Sequence, residues 1–380
     1  MLNPKGPGLR RVKKFPSSSV LESEYHNSAP PPLVPGIAQN AGQSLANITN
    51  HPPAAKRPRS QSQSQFDGPK YPVNNNQRYA RKPASSAQLV PKQNATIESL
   101  ISRPPSNLVE ALQDLRYLIL TEGIQADSDG NSPLRIYIWS ILLGISPMRT
   151  SDYVSLVRRG ASSSYSKIRN DTFRTLATDP LFRRRVSEAS LIRLLNAFQW
   201  KMRDSGTDAQ YVQGMNVIAA PFLYAARSEV EAFSLFSVFI QRECPSYVKP
   251  TMEGVHRGLK LVDQCLETVD LKLYSHLQSK FLSAELYAFP SVLTLSACTP
   301  PLPEVLKLWD FLLAYGAHLN ILCVVAQLLL MRDELLVAQS PMKLLRQFPP
   351  LNAKMIVTVA VSLVRKIPEE LFEELVNHAR

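Results

Sequence analysis

From residue 97 onward, apolar positions recur at helical spacing. Leu108, Ala111, Leu112, Leu115, Leu118 and Ile119 mark one face of a first helix. Asn107, with Glu110 three residues later, forms a capping-box pattern at its start, and Gly123 is a stop signal. The spacing predicts a further helix over 134–143, with Ser132 as N-cap, Pro133 at the first helical position and Gly144 as terminator. Ser340-Pro341 repeats the Ser-Pro device. Other helices are predicted near 152–158, 187–203, 210–225, 229–242, 252–268, 281–296, 303–315, 319–337, 353–366 and 369–378. No alternating apolar run suggests a strand, no Asn-Gly or Asp-Gly lies between two such runs, and no fixed-period repeat occurs. Residues 97–380 therefore read as an all-α domain, long enough for two helical lobes to be expected.

The first 96 residues follow other rules. They hold 14 of the 30 prolines and none of the three tryptophans, and Ser, Asn, Gln and Pro dominate, as in Ser60-Gln61-Ser62-Gln63-Ser64-Gln65. So few large apolar side chains cannot offset chain entropy, which predicts a disordered tail. The tail also explains the charge of +12: it carries 13 Lys/Arg against three acids, whereas 97–380 carry 30 against 28. The body is close to neutral, so the overall charge does not predict nucleic-acid binding. Lys56-Arg57-Pro58-Arg59 reads either as a nuclear-import or polyanion patch or, more commonly for such short runs, as solvated linker.

Several function classes are disfavoured. The four cysteines, at 244, 265, 298 and 323, contain no C-x-x-C and are too sparse for a disulfide scaffold. The N-terminal segment lacks the apolar stretch of a signal peptide, and the longest apolar run, 319–331, is too short to cross a bilayer. These features predict a soluble protein of a reducing compartment. Residues 160–167 lack the second Gly of a phosphate-binding loop, no H-E-x-x-H or G-x-S-x-G is present, and the six histidines are scattered. A nucleophile, metal or cofactor belonging to this chain is not expected.

Two polar segments remain. In Ile168-Arg169-Asn170-Asp171-Thr172-Phe173-Arg174-Thr175, the residues Ile168, Asp171 and Arg174 are spaced by three, on one side of a helical turn. A carboxylate one turn before an Arg accepts its guanidinium and sets its direction. In Tyr211-Val212-Gln213-Gly214-Met215-Asn216, a neutral amide precedes a Gly and an apolar run, next to a residue that permits close backbone approach. Each also has a plainer reading: a surface ion pair worth at most about 1 kcal/mol, and an ordinary helix-start hydrogen-bonder.

Together, I-x-x-D-x-x-R and, some forty residues later, Y-x-Q-G-M-N resemble the signature of the TBC-domain family, GTPase-activating proteins for Rab-type GTPases. Leu134-Arg135 with Trp139 and Leu142-Leu143-Gly144 is similar to the family's opening helix, with Ile136 where a Gly is usual. Leu308-Trp309-Asp310 through Gly316 is similar to its L-W-D-x-L-x-x-x-G segment. The resemblance spans about 97–380. Within the family, it is strongest to the fungal spindle-position checkpoint and septation-network GAP subunits.

The resemblance implies an all-helical TBC fold and a partner small GTPase of Ras/Rab type that brings its own GTP and Mg²⁺. It implies a dual-finger mechanism, with Arg174 as the cation inserted in trans and Gln213 positioning the attacking water. Asp171 orients Arg174; Ile168, Tyr211, Gly214 and Asn216 support the two arms. A scaffold subunit, a role restraining mitotic exit or septation, and a cytoplasmic location at the spindle pole body or cytoskeleton are implied too. A non-catalytic helical scaffold that binds a GTPase is the competing expectation.

Overall fold

The computed structural model describes residues 96–102, 105–206 and 210–380. The predicted tail, with its basic patch at Lys56-Arg57-Pro58-Arg59, lies outside the described residues except for Thr96.

Every regular element among the described residues is helical. α1 (Ile97–Ser102) leads into α2 (Leu108–Thr121), whose first free N–H groups are met by the Asn107 side chain, which accepts from Val109 and Glu110. Gly123 ends it at φ 76°, its N–H reaching back to the Leu118 carbonyl. α3 (Arg135–Leu143) starts later than the Ser-Pro signal predicts. Pro133 and Leu134 form a turn instead, and the Ser132 hydroxyl caps nothing. Its far end matches the expectation: Gly144 is left-handed at φ 61°, and Ile145 donates to the Ser140 carbonyl.

α4 (Thr150–Arg158), α5 (Tyr165–Thr172) and α6 (Pro180–Arg185) follow, then the long α7 (Glu188–Asp204), capped by Ser187. α8 (Met215–Ala225) and α9 (Glu229–Glu243) complete the first half, and α10 (Glu253–Val269) and α11 (Leu271–Ser279) open the second. The single helix predicted over 281–296 is two short ones, α12 (Ala284–Tyr287) and α13 (Phe289–Leu293). Pro290 has no N–H to continue α12 and its ring crowds the preceding turn, so the chain restarts there. α14 (Leu302–Tyr315) is as predicted, whereas the helix expected over 319–337 breaks at Met331 into α15 (Asn320–Leu330) and α16 (Arg332–Val337). α17 (Pro341–Leu345), α18 (Ala353–Val364) and α19 (Glu369–Asn377) close the chain.

One apolar cluster runs from Ile97 to Ala379. The cause is α14, which packs on α2 and α3 of the first half and on α18 of the second. Aromatic rings sit at that junction: Trp309 of α14 lies 5.2 Å from Phe222, 5.5 Å from Phe239 and 6.3 Å from Trp139 between centroids. Trp139 and Trp309 are thus packing residues, as the sequence suggests. Both indole N–H groups are satisfied, by Asp310 Oδ1 at 2.8 Å and by the Leu295 carbonyl at 3.1 Å.

Asp310 also receives Arg135, Nε to Oδ1 at 3.0 Å and Nη2 to Oδ2 at 3.1 Å, and Arg135 donates further to the Gly130 carbonyl. Both side chains are sealed, at 1% and 4% exposure. Burial pushes the Asp310 carboxyl up, against the pull of Arg135. The opening-helix motif and the L-W-D motif are therefore two halves of one buried clamp between α3 and α14.

Two buried histidines lie against the C-terminal helix: His378 at its end, and His318 edge-on to the Phe372 ring at 6.2 Å. Burial lowers His318 to about 3 and His378 to about 4. His378 Nδ1 lies 2.6 Å from the Leu375 carbonyl, so that nitrogen carries the proton and Nε2 accepts from the Tyr247 hydroxyl at 2.8 Å. Protonating Nε2 reverses that bond and places a charge in a buried site. Both folded-state values lie below the unfolded value, so the stability they contribute is complete above about pH 6.5 and is lost as pH falls toward 4 and 3. Between pH 7 and pH 5 each is expected to cost about 2 kcal/mol. Urea unfolding at the two pH values checks this: the midpoint falls, and His378→Gln shrinks the fall. An unchanged midpoint would contradict it.

Candidate functional site

Long α7 is the backing on which the site is built. It packs on both α5 and α8, and α5 touches α8 as well. α5 ends at Thr172, but Phe173 keeps helical dihedrals (φ −54°, ψ −35°) and the Arg174 N–H reaches the Asp171 carbonyl at 3.2 Å, so one more turn carries Arg174 outward. The α7–α8 connection delivers Tyr211 inward, Gln213 outward and Gly214 as the left-handed start of α8.

Asp171 is the node. It is buried, and its Oδ1 accepts from Arg174 Nη2 at 2.6 Å while its Oδ2 accepts from the Tyr211 hydroxyl at 2.9 Å. The Tyr211 oxygen also lies 3.1 Å from Asn216 Oδ1. One phenolic proton serves mainly one acceptor, and the charged carboxylate is the stronger. Burial first, and the Asp171 charge second, raise the Tyr211 hydroxyl far above the ordinary range, so it remains a donor. Asn216 Oδ1 accepts from the Gly214 N–H at 3.0 Å, and its Nδ2 donates to Thr175 Oγ1 at 2.8 Å. Thr175 in turn donates to the Asp171 carbonyl at 2.9 Å. The loop that bears Gln213 and the turn that bears Arg174 are thus joined through one closed polar network.

Both tips face solvent. The Arg174 side chain is 61% exposed, and Gln213 is exposed and makes no side-chain hydrogen bond to a described residue. Exposure limits the Asp171–Arg174 pair as a source of stability to about 1 kcal/mol or less. Its effect is directional, holding one edge of the guanidinium and leaving the other without a partner among the described residues.

Gly214 is required twice over. Its φ is 104°, and a Cβ there would lie 2.8 Å from Leu293 Cδ2 of α13. A side chain there would strain the backbone next to Gln213 and push Leu293 aside. Ile168 is fully buried on the inner side of α5 and acts by packing, as does Met215. The sequence motifs thus place Arg174, Asp171, Tyr211, Gln213, Gly214 and Asn216 together. Thr175, which closes the network, was not singled out from sequence; its position directly after Arg174 was the available signal. No cluster of metal-ligating side chains is present among the described residues, and no described helix is long and apolar enough to cross a membrane.

Residues 132–336 match the family model of the Rab-GTPase-TBC domain, from the clamp's first strut through both site motifs. The chain belongs to this family of Rab-type GTPase activators, and a small GTPase is the partner such a domain serves. Over 283 residues it is 50% identical to Cell division control protein 16 of Schizosaccharomyces pombe, covering 74% of this chain and 93% of that protein. Over 295 residues it is 43% identical to Mitotic check point protein BUB2 of Saccharomyces cerevisiae, covering 74% and 96%. The crystal structure of the Ypt/Rab-GAP domain of Gyp1p shares the fold, with a TM-score of 0.57 at 18% identity over 67% of this chain and 92% of that one.

Proposed function

We propose that the protein accelerates GTP hydrolysis on its GTPase by inserting Arg174 and Gln213 together. The observation that carries this reading is the shared network: two solvent-facing tips of complementary chemistry, tied through Asp171, Tyr211 and Asn216 to one buried node. Phosphoryl transfer to water develops charge on the γ-oxygens and leaving oxygen, and demands positioning and charge stabilisation more than covalent chemistry. Arg174 supplies the cation. Its planar fork remains charged and gives two hydrogen bonds, while Asp171 keeps it aimed. Gln213, neutral and able both to donate and to accept, orients the attacking water. GTP and Mg²⁺ come with the partner; this chain supplies only side chains.

The names of the two relatives, a cell division control protein and a mitotic check point protein, support a role in cell-cycle control. In this reading the chain restrains mitotic exit or septation, works with a scaffold subunit and acts at the spindle pole body. Affinity purification from dividing cells, with identification of co-purifying chains and imaging of the tagged protein, tests those parts.

The enzymology is tested by single-turnover hydrolysis with a panel of purified Rab-type GTPases preloaded with GTP, with and without co-purified partners. Gln213→Ala is expected to slow the stimulated rate of the responding GTPase by about 10²-fold or more, as loss of a positioned transition-state donor does elsewhere. An unchanged rate would return water positioning to the GTPase. Tight binding of the GTP-bound form without any acceleration would favour the non-catalytic scaffold instead.

A further inference from the structure

Given Arg174 as the inserted cation, on which this rests, we propose that the outer face of α5 is the surface that seats the GTPase, with Phe173 as apolar anchor and Arg169 as flanking cation. Phe173 immediately precedes Arg174 and is 78% exposed, whereas Phe182, Phe198 and Phe222 nearby in sequence are buried. Scattered exposed apolar residues are ordinary. What distinguishes this one is its place: any polar residue would satisfy the turn, yet an aromatic ring stands beside the finger with no ring partner among the described residues.

Because Phe173 keeps helical dihedrals, Arg169 lies one turn before it on the same face, and the Phe173 N–H bonds the Arg169 carbonyl at 3.2 Å. The buried side of the helix, Ile168 and Asp171, is already committed to core and network. The exposed charge that this segment itself contributes is positive, although Arg159 and Arg184 are paired with Asp204 and Asp129 from other elements. Residues 158–185 hold eight Lys/Arg, all exposed, and two acids, Asp171 and Asp179, neither exposed. Aromatic side chains and Arg are the residues that anchor interfaces, and a charged border steers approach. The complementary partner surface is an apolar depression bordered by carboxylates, next to the nucleotide pocket of the GTPase. This assigns Phe173 and Arg169 to docking, apart from the chemistry of Arg174.

The experiment uses the full-length chain and the responding GTPase of the panel, loaded with GTP, and reads the saturating rate and the half-saturating GTPase concentration separately. Phe173→Ala is expected to raise the half-saturating concentration about ten- to thirty-fold while the saturating rate remains within about twofold. Phe173→Trp restores it. Arg169→Glu lowers kcat/KM at low ionic strength, and the deficit shrinks as salt is added. Circular dichroism of both variants matches the parent, since both side chains lie in solvent. An unchanged half-saturating concentration in Phe173→Ala, or a collapse of its saturating rate instead, overturns the proposal. Arg174→Ala in the same assay separates the two ideas. If it leaves the rate intact, the finger itself is wrong. If it abolishes the rate while Phe173→Ala changes nothing, only the docking surface is wrong.

Discussion

Arg174→Ala is expected to reduce stimulated single-turnover GTP hydrolysis by about 10³–10⁵, the range associated with removing an arginine supplied in trans. The fold survives, because the side chain is 61% exposed and Asp171 retains its bond from Tyr211. Binding of the GTP-bound GTPase weakens little by comparison, since the contact is strongest where transition-state charge develops. Arg174→Lys recovers only a small part of the rate: a point charge lacks the planar fork that meets two oxygens at once and that Asp171 holds by one edge. Single-turnover hydrolysis measured beside urea unfolding separates the chemistry from folding. Normal stimulation by a folded Arg174→Ala protein would remove the basis of the mechanism.

The second large effect concerns stability. Asp310→Ala leaves the Arg135 guanidinium buried at 1% exposure with the Gly130 carbonyl as its remaining partner and takes the acceptor from Trp139. Stranding one charge of a buried pair costs about 3–5 kcal/mol, a large share of the about 5–15 kcal/mol that holds a domain folded. Replacing both, as Arg135→Met with Asp310→Leu, is expected to regain most of that loss, because the desolvation of two ions disappears with their attraction. Denaturant titration of the single and double variants reads the difference directly. A single Asp310→Ala loss below about 1 kcal/mol would mean that the pair does not clamp α3 to α14.

The contrast between these two aspartates indicates what a linear chain discloses. Asp171 and Arg174 share one short segment whose spacing puts them on one turn, whereas Tyr211 and Asn216 gained their roles only through the family resemblance. The Arg135–Asp310 clamp joins residues 175 positions apart, and no local pattern links a polar side chain on one helix to another that far away. Its two motifs were visible, but their meeting was not. The short helices α1, α5, α6 and α11 went unpredicted; runs of six to nine residues carry little periodicity, although α3 and α4, equally short, showed enough. Pro290 breaks the single helix predicted over 281–296, a signal that the apolar run around it masks. Ser132-Pro133 failed as a cap because the turn it begins is not the helix. That α14 serves both halves is likewise a tertiary fact that no local pattern announces.

The Asp171 carboxylate has only two oxygens, and each is occupied by a different arm of the site. The arms are consequently not independent levers. A disturbance on the tyrosine side reaches the guanidinium through a single buried group, and the energetic penalties of paired substitutions will not sum. A regulator that pries the α7–α8 loop outward would therefore disarm the cation without touching it.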